Sequence, residues 1–83
     1  MTKEQELIIQ RIETLRKERN ISLYVLAYRS SVPLTTLTHI VDGTTKNPGV
    51  FTLARICDGF EITMREFFDT KEFDELVQEF GEV

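Results

Sequence analysis

Residues that start or stop helices recur at short intervals along this chain, and they cut its apolar pattern into six short pieces. Ile8, Ile12 and Leu15 fall at i, i+4 and i+7, one face of a 3.6-residue period, which predicts a helix over residues 2–19. Thr2 and Gln5 have capping-box spacing at its start, and Asn20, suited to a left-handed cap, ends it. Ser22 is placed to N-cap a second helix over Leu23–Ser30, with Leu26 and Ala27 inward. Ser31 and Val32 make a tight link. Pro33, favoured in a first turn, opens a third helix to about Val41, with Leu37 and Ile40 inward beside Val32. Gly43 stops it, and residues 43–49 read as a polar loop. A fourth helix over Val50–Phe60 buries Leu53, Ile56, Cys57 and Phe60. Thr63 and Glu66 form a second capping box, leading into a short fifth helix with Phe67 and Phe68. Phe73, Leu76, Val77 and Phe80 then mark an amphipathic sixth segment over residues 71–81. No window alternates with period two. The fold class is all-α.

Composition limits what such helices can serve. At 83 residues there is room for one small domain. The longest apolar runs, Leu7-Ile8-Ile9 and Val25-Leu26-Ala27, fall far short of the roughly 18 residues of a membrane span. Lys3, Glu4 and Glu6 stand where a signal peptide would turn apolar, so a reduced, cytoplasmic setting is expected. One cysteine and one histidine provide neither an internal disulfide nor a structural zinc site, and no cofactor is expected. An enzyme is not expected either. The single histidine lacks a carboxylate and a nucleophile in its local sequence, and no glycine-rich loop follows a strand.

The net charge of −4 argues against a polyanionic partner, but it is unevenly spread. Residues 1–48 hold seven Lys or Arg against five acids, whereas residues 49–83 hold three against nine. A polyanion-binding face on the front half therefore remains open. Two short helices joined by a tight turn are the helix-turn-helix arrangement, here over about residues 22–41. The outer face of its second helix carries Leu34, Thr35, Thr38 and His39, side chains of a size to enter a major groove about 12 Å wide.

Over residues 8–68 the sequence resembles the lambda-repressor-like helix-turn-helix family (the XRE, or Cro/CI, type). The matching strings are Ile8-x-x-Arg11-Ile12-x-x-Leu15-Arg16, Ile21-Ser22-Leu23, Leu26-Ala27 and Ser30-Ser31-Val32-Pro33-x-x-Thr36-Leu37-Thr38-x-Ile40-x-x-Gly43. Asn47-Pro48, Leu53-x-x-Ile56-Cys57 and Ile62-Thr63-x-x-Glu66-Phe67-Phe68 continue them in order. The resemblance implies a compact five-helix DNA-binding domain followed by an acidic amphipathic tail over residues 69–83. It implies a transcriptional regulator, a repressor of phage type or an antitoxin-like autoregulator. The third helix would read bases through Leu34, Thr35, Thr38 and His39, with Pro33 at its entry. Ser22 and Leu23 would sit over one phosphate, and the 44–49 loop, with Thr45, Lys46, Asn47 and Gly49, would grip another. Elementary physics agrees with the loop assignment: unpaired amides at a helix start attract anions, and Lys46 adds charge.

The chain departs from the family pattern in ways that carry expectations. Leu23 replaces a common glutamine and cannot hydrogen-bond a phosphate through its side chain, so that contact passes to Ser22 or Tyr24. Ser31 and Glu61 stand at customary glycine sites, where a positive φ costs on the order of 1 kcal/mol. Val41 stands where many members have a glutamate, which leaves Arg16 without that partner and open to DNA. Cys57, on an inward face, reads as a small buried hydrophobe rather than a redox sensor. Asp58, Glu61, Asp69, Asp74 and Glu75 read as a solvated face. The group Phe67, Phe68, Phe73 and Phe80 fits two ends, capping the monomer's own core or joining two subunits of a homodimer. The alternative function is a protein-interaction module on the same scaffold, binding a protein partner through the acidic tail and no DNA.

Overall fold

The computed structural model describes the backbone of residues 1–79 and the side chains of residues 1–76. The Gln5 amide donates to Thr2 Oγ1 at 3.2 Å, and the Thr2 amide donates back to Gln5 Oε1 at 3.0 Å. This closed capping box starts α1 (Lys3–Arg19), with Thr2 as its N-cap. Ser22 Oγ accepts the Val25 amide at 3.0 Å and starts α2 (Leu23–Ser30). Pro33 occupies the cap position of α3 (Leu34–Val41) rather than its first turn, at φ −56° and ψ 140°. Then come α4 (Val50–Phe60), α5 (Met64–Phe68), capped by the Thr63–Glu66 box, and α6 (Lys71–Glu79). The expected continuation of the tail to residue 81 lies outside the described residues.

One device ends three of these helices. Asn20, Ser31 and Glu61 take left-handed backbone at φ 53°, 54° and 60°. In each case the next amide reaches back to an orphan carbonyl: Ile21 to Arg16, Val32 to Ala27, and Ile62 to Cys57, at 3.1, 3.2 and 3.0 Å. Each of those next residues is apolar and packs in or against the core. The left-handed residue costs on the order of 1 kcal/mol without glycine. Satisfied carbonyls and the burial of Ile21, Val32 and Ile62 offset it. Ser31 and Glu61 are therefore tolerated without moving either turn.

The core contains Ile12, Leu15, Leu26, Ala27, Val32, Leu37, Ile40, Leu53, Ile56, Cys57 and Phe60, all pointed inward by the sequence pattern, together with Phe67. Ile8, on the same face of α1, is only half-buried and packs against this core from outside. Burial, and secondly the neighbouring Asp58 carboxylate, push the Cys57 thiol up, which keeps it neutral and inert. Helix α2 packs between α3 and α4, and α1 lies against α3 and α6. The crossing of α2 and α4 is close at Gly59, where a Cβ would lie 3.1 Å from the Ser30 nitrogen and 3.2 Å from Leu26 Cδ1, and would collide with Ser30 Oγ.

Phe68 and Phe73 form ring contacts with Phe67 and with each other, with centroids 5.0 to 6.3 Å apart. Arg11 secures this end by donating to the carbonyls of Phe67 at 2.7 Å and Glu66 at 2.9 Å, which caps α5 with a cation. These three phenylalanines thus cap the monomer's own core; Phe80 and the Val77 side chain lie outside the described residues. Arg16 does not go without a partner. It donates to Glu13 Oε2 at 2.6 Å and to the Ile21 carbonyl at 3.2 Å, because a partner one turn earlier on α1 replaces the missing glutamate of α3.

The second capping box carries a pH dependence. Hydrogen bonds from the Thr63 amide, then its side chain, hold the exposed Glu66 carboxyl below its ordinary 4.5. A carboxyl lowered in the folded state stabilises above its unfolded value and loses that contribution as pH falls through the folded one. The thermal midpoint is accordingly expected to fall below about pH 4.5. Glu66→Gln, which keeps the box geometry, should flatten part of that decline in a series of melts from neutral to acidic pH. An unchanged slope would assign the acid sensitivity elsewhere.

Candidate nucleic-acid interface

Helix α3 is divided cleanly between inside and outside. Leu37 and Ile40 are buried, and on the other side Pro33, Leu34, Thr35, Thr38 and His39 are all exposed. Eight residues give a helix about 12 Å long, comparable to the width of a major groove. None of the five side chains makes a side-chain hydrogen bond or ion pair among the described residues. Leu34 keeps 42% of its surface exposed, an apolar tip beside two hydroxyls and an imidazole. The buried Leu37 and Ile40 anchor the same helix to the core and fix the direction in which its outer side chains point.

Two helix starts flank it. At α2, the Ser22 hydroxyl spends a lone pair on the Val25 amide and keeps its proton to donate. Tyr24 is exposed, whereas Leu23 is half-buried and packs against the core. What Leu23 offers a phosphate is its backbone amide, ahead of the helix's own hydrogen-bond ladder. At α4, Gly49 is the N-cap, no side chain caps the helix, and no described atom comes within 4 Å of where a Cβ would stand. Lys46 and Asn47 are exposed just before it. An open helix start with a lysine beside it is an anion seat by charge and by hydrogen bonding.

The loop between α3 and α4 is held by internal bonds. Gly43 takes φ 86°, and Asp42 Oδ1 accepts the Thr44 amide at 2.8 Å. Bonds from Thr44, its side chain first, hold the Asp42 carboxyl below its ordinary value. The Thr45 amide donates to the His39 carbonyl at 2.9 Å, and the Thr45 carbonyl accepts from Gln5 Nε2 at 3.4 Å. Thr45 is half-buried and its backbone is committed inside the protein, so among the loop residues Lys46, Asn47 and Gly49 face outward.

The site expected from the sequence does not include the loop contacts of Gln5 and Asp42 or the exposed side chains of Val50 and Phe51. Capping-box spacing accounts for only one end of Gln5, although an amide in place of a carboxylate there brings two spare donors. Asp42 two residues before Thr44 has the spacing of an Asx turn. Val50 and Phe51 stand exposed at the head of α4, Phe51 by 81%, outside the inward period that revealed the helix. The acidic set Asp58, Glu61, Asp69, Asp74 and Glu75 is exposed, and no group of metal-ligand type is found among the described residues. No described helix is long and apolar enough to cross a membrane.

No curated protein and no solved structure matches the chain. A family model does. The model of the Cro/C1-type HTH DNA-binding domain matches residues 11–72, about three quarters of the sequence, and spans both helices of the motif, the loop and the head of α4. With the helix-turn-helix geometry above, the chain belongs to the Cro/C1-type helix-turn-helix DNA-binding family, whose work is the regulation of transcription.

Proposed function

We propose that this protein is a sequence-specific repressor that lays α3 in the major groove of double-stranded DNA and binds as a homodimer to paired half-sites. The observation that carries this reading is the outward face of α3, where Pro33, Leu34, Thr35, Thr38 and His39 are exposed between two helix starts open to phosphate. Ser22, the Leu23 and Tyr24 amides, Lys46, Asn47 and Gly49 position the backbone; the α3 side chains read sequence. One α3 spans too few base pairs for tight specificity, so two copies on half-sites about one helical turn apart are expected.

Selection from random duplex DNA, followed by sequencing of the retained molecules, tests the reading. An enriched inverted repeat bound by two chains supports it. No enrichment, together with capture of the chain only by proteins, favours the interaction-module alternative suggested by the net charge of −4. Salt gives an independent check. Phosphate contacts release counterions, and with Lys46 the principal exposed cation of the loop, the slope should be shallow, on the order of 2–4 ions per chain. Binding that ignores salt would overturn the model.

A further inference from the structure

Gln5 is one of two buried polar side chains among the described residues, at 6% exposure. Its two ends face opposite chemistries. Oε1 accepts from the Thr2 amide at 3.0 Å and from Thr2 Oγ1 at 3.3 Å. Nε2 faces two groups that only accept, the carbonyls of Gly43 and Thr45, at 3.4 Å each. A glutamate would close the capping box of α1 equally well. The needs of α1 therefore do not account for the amide; the two carbonyls do.

Those carbonyls bracket Thr44 in the loop after α3. On its other side the loop is tied to the last turn of that helix, Gly43 N–H to the Ile40 carbonyl at 3.2 Å and Thr45 N–H to the His39 carbonyl at 2.9 Å. Lys46 follows directly on the second residue that Gln5 holds. Ile8, Ile9, Ile40 and Pro48 line the same small cavity as Gln5 and Thr45, so the start of α1 lies against the loop here.

We propose that Gln5 is a positioning residue for DNA binding: its side-chain amide fixes the 43–46 segment against α1, so that Lys46 and the head of α4 meet a phosphate while α3 is in the groove. This rests on the DNA-binding reading above and adds to it a residue that touches no DNA. Lost anchorage should let the loop wander, weakening the sequence-independent grip and leaving base reading intact.

The decisive variant is Gln5→Glu, which keeps the acceptor for Thr2 and sets a carboxylate against the two carbonyls. Its affinity for the selected duplex and for single-base variants of it would be measured by fluorescence anisotropy, beside wild type, Lys46→Ala and Gln5→Met. Expected is a loss on the order of tenfold on every sequence, with the ranking of sequences unchanged and helix content kept. The salt slope should become shallower by about one ion, as for Lys46→Ala. The gap from wild type should also close as pH falls, because the protonated carboxyl regains a donor for one carbonyl. Gln5→Met, which lacks both donor and acceptor, should bind weakly at every pH. Wild-type affinity in folded Gln5→Glu and Gln5→Met overturns the proposal, as does a loss confined to particular base positions. If wild type itself enriches no duplex, the DNA reading fails first; if it binds and Gln5→Glu binds equally, only the positioning role falls.

Discussion

Thr35→Ala and His39→Ala each relax preference at one position of the selected site, at a cost of roughly 1–3 kcal/mol against the best sequence. That is the outcome expected if α3 reads bases, since Thr35 and His39 lie one turn apart on its exposed face. Lys46→Ala should instead weaken all sequences about equally, because a phosphate contact carries no base information. Leu34 gives a third signature. An apolar tip can only pack, so it should favour a thymine methyl and tolerate Met better than Gln. The measurement is a matrix of these variants against every single-base change in the site. A Lys46→Ala that reorders the sequences, beside Thr35→Ala and His39→Ala that leave them in order, would show that α3 is not the reader.

Gly59→Ala should destabilise the domain by about 2 kcal/mol, which for a chain of this size lowers the thermal midpoint by roughly 10 °C. Alanine in place of glycine inside a helix normally gains about 1 kcal/mol. Here overpacking outweighs that gain, because the new Cβ meets the Ser30 backbone nitrogen at 3.1 Å and collides with Ser30 Oγ. The hydroxyl has a second consequence. Ser30 Oγ is buried without a hydrogen-bond partner among the described residues, so Ser30→Ala should stabilise by about 1 kcal/mol. The double variant should then be more stable than the two single effects sum to, since removing the hydroxyl removes part of the clash. Strict additivity would place the whole obstruction at the backbone nitrogen. A Gly59→Ala variant as stable as wild type would mean that the α2–α4 crossing yields without cost.

These two experiments probe different layers of what the chain encodes. The sequence alone determined where helices begin and end and which side of each faces in. Thr2, Ser22 and Thr63 act on amides three residues away, and Asn20, Ser31 and Glu61 turn the chain where the next apolar residue can bury. Such interactions are local, so spacing reveals them. The exposed face of α3 was legible for the same reason, as the complement of Leu37 and Ile40.

What needed the tertiary structure was the choice among partners that spacing leaves equal. Arg16 had one partner missing on α3 and another available on its own helix, and distance decided for Glu13. Leu23 stands at the start of α2, where the family pattern expects a polar side chain, yet its own side chain packs against the core. Gly59 carries no local signal of its own, and only the crossing of α2 at Ser30 makes a side chain there costly. The amide of Gln5 found its carbonyls 38 and 40 residues along the chain, a pairing that no periodicity announces. Local hydrogen bonds and apolar periods set the elements; which polar groups meet across them is settled only when the core closes, because burial then obliges each donor to find whatever acceptor the packing brings within reach.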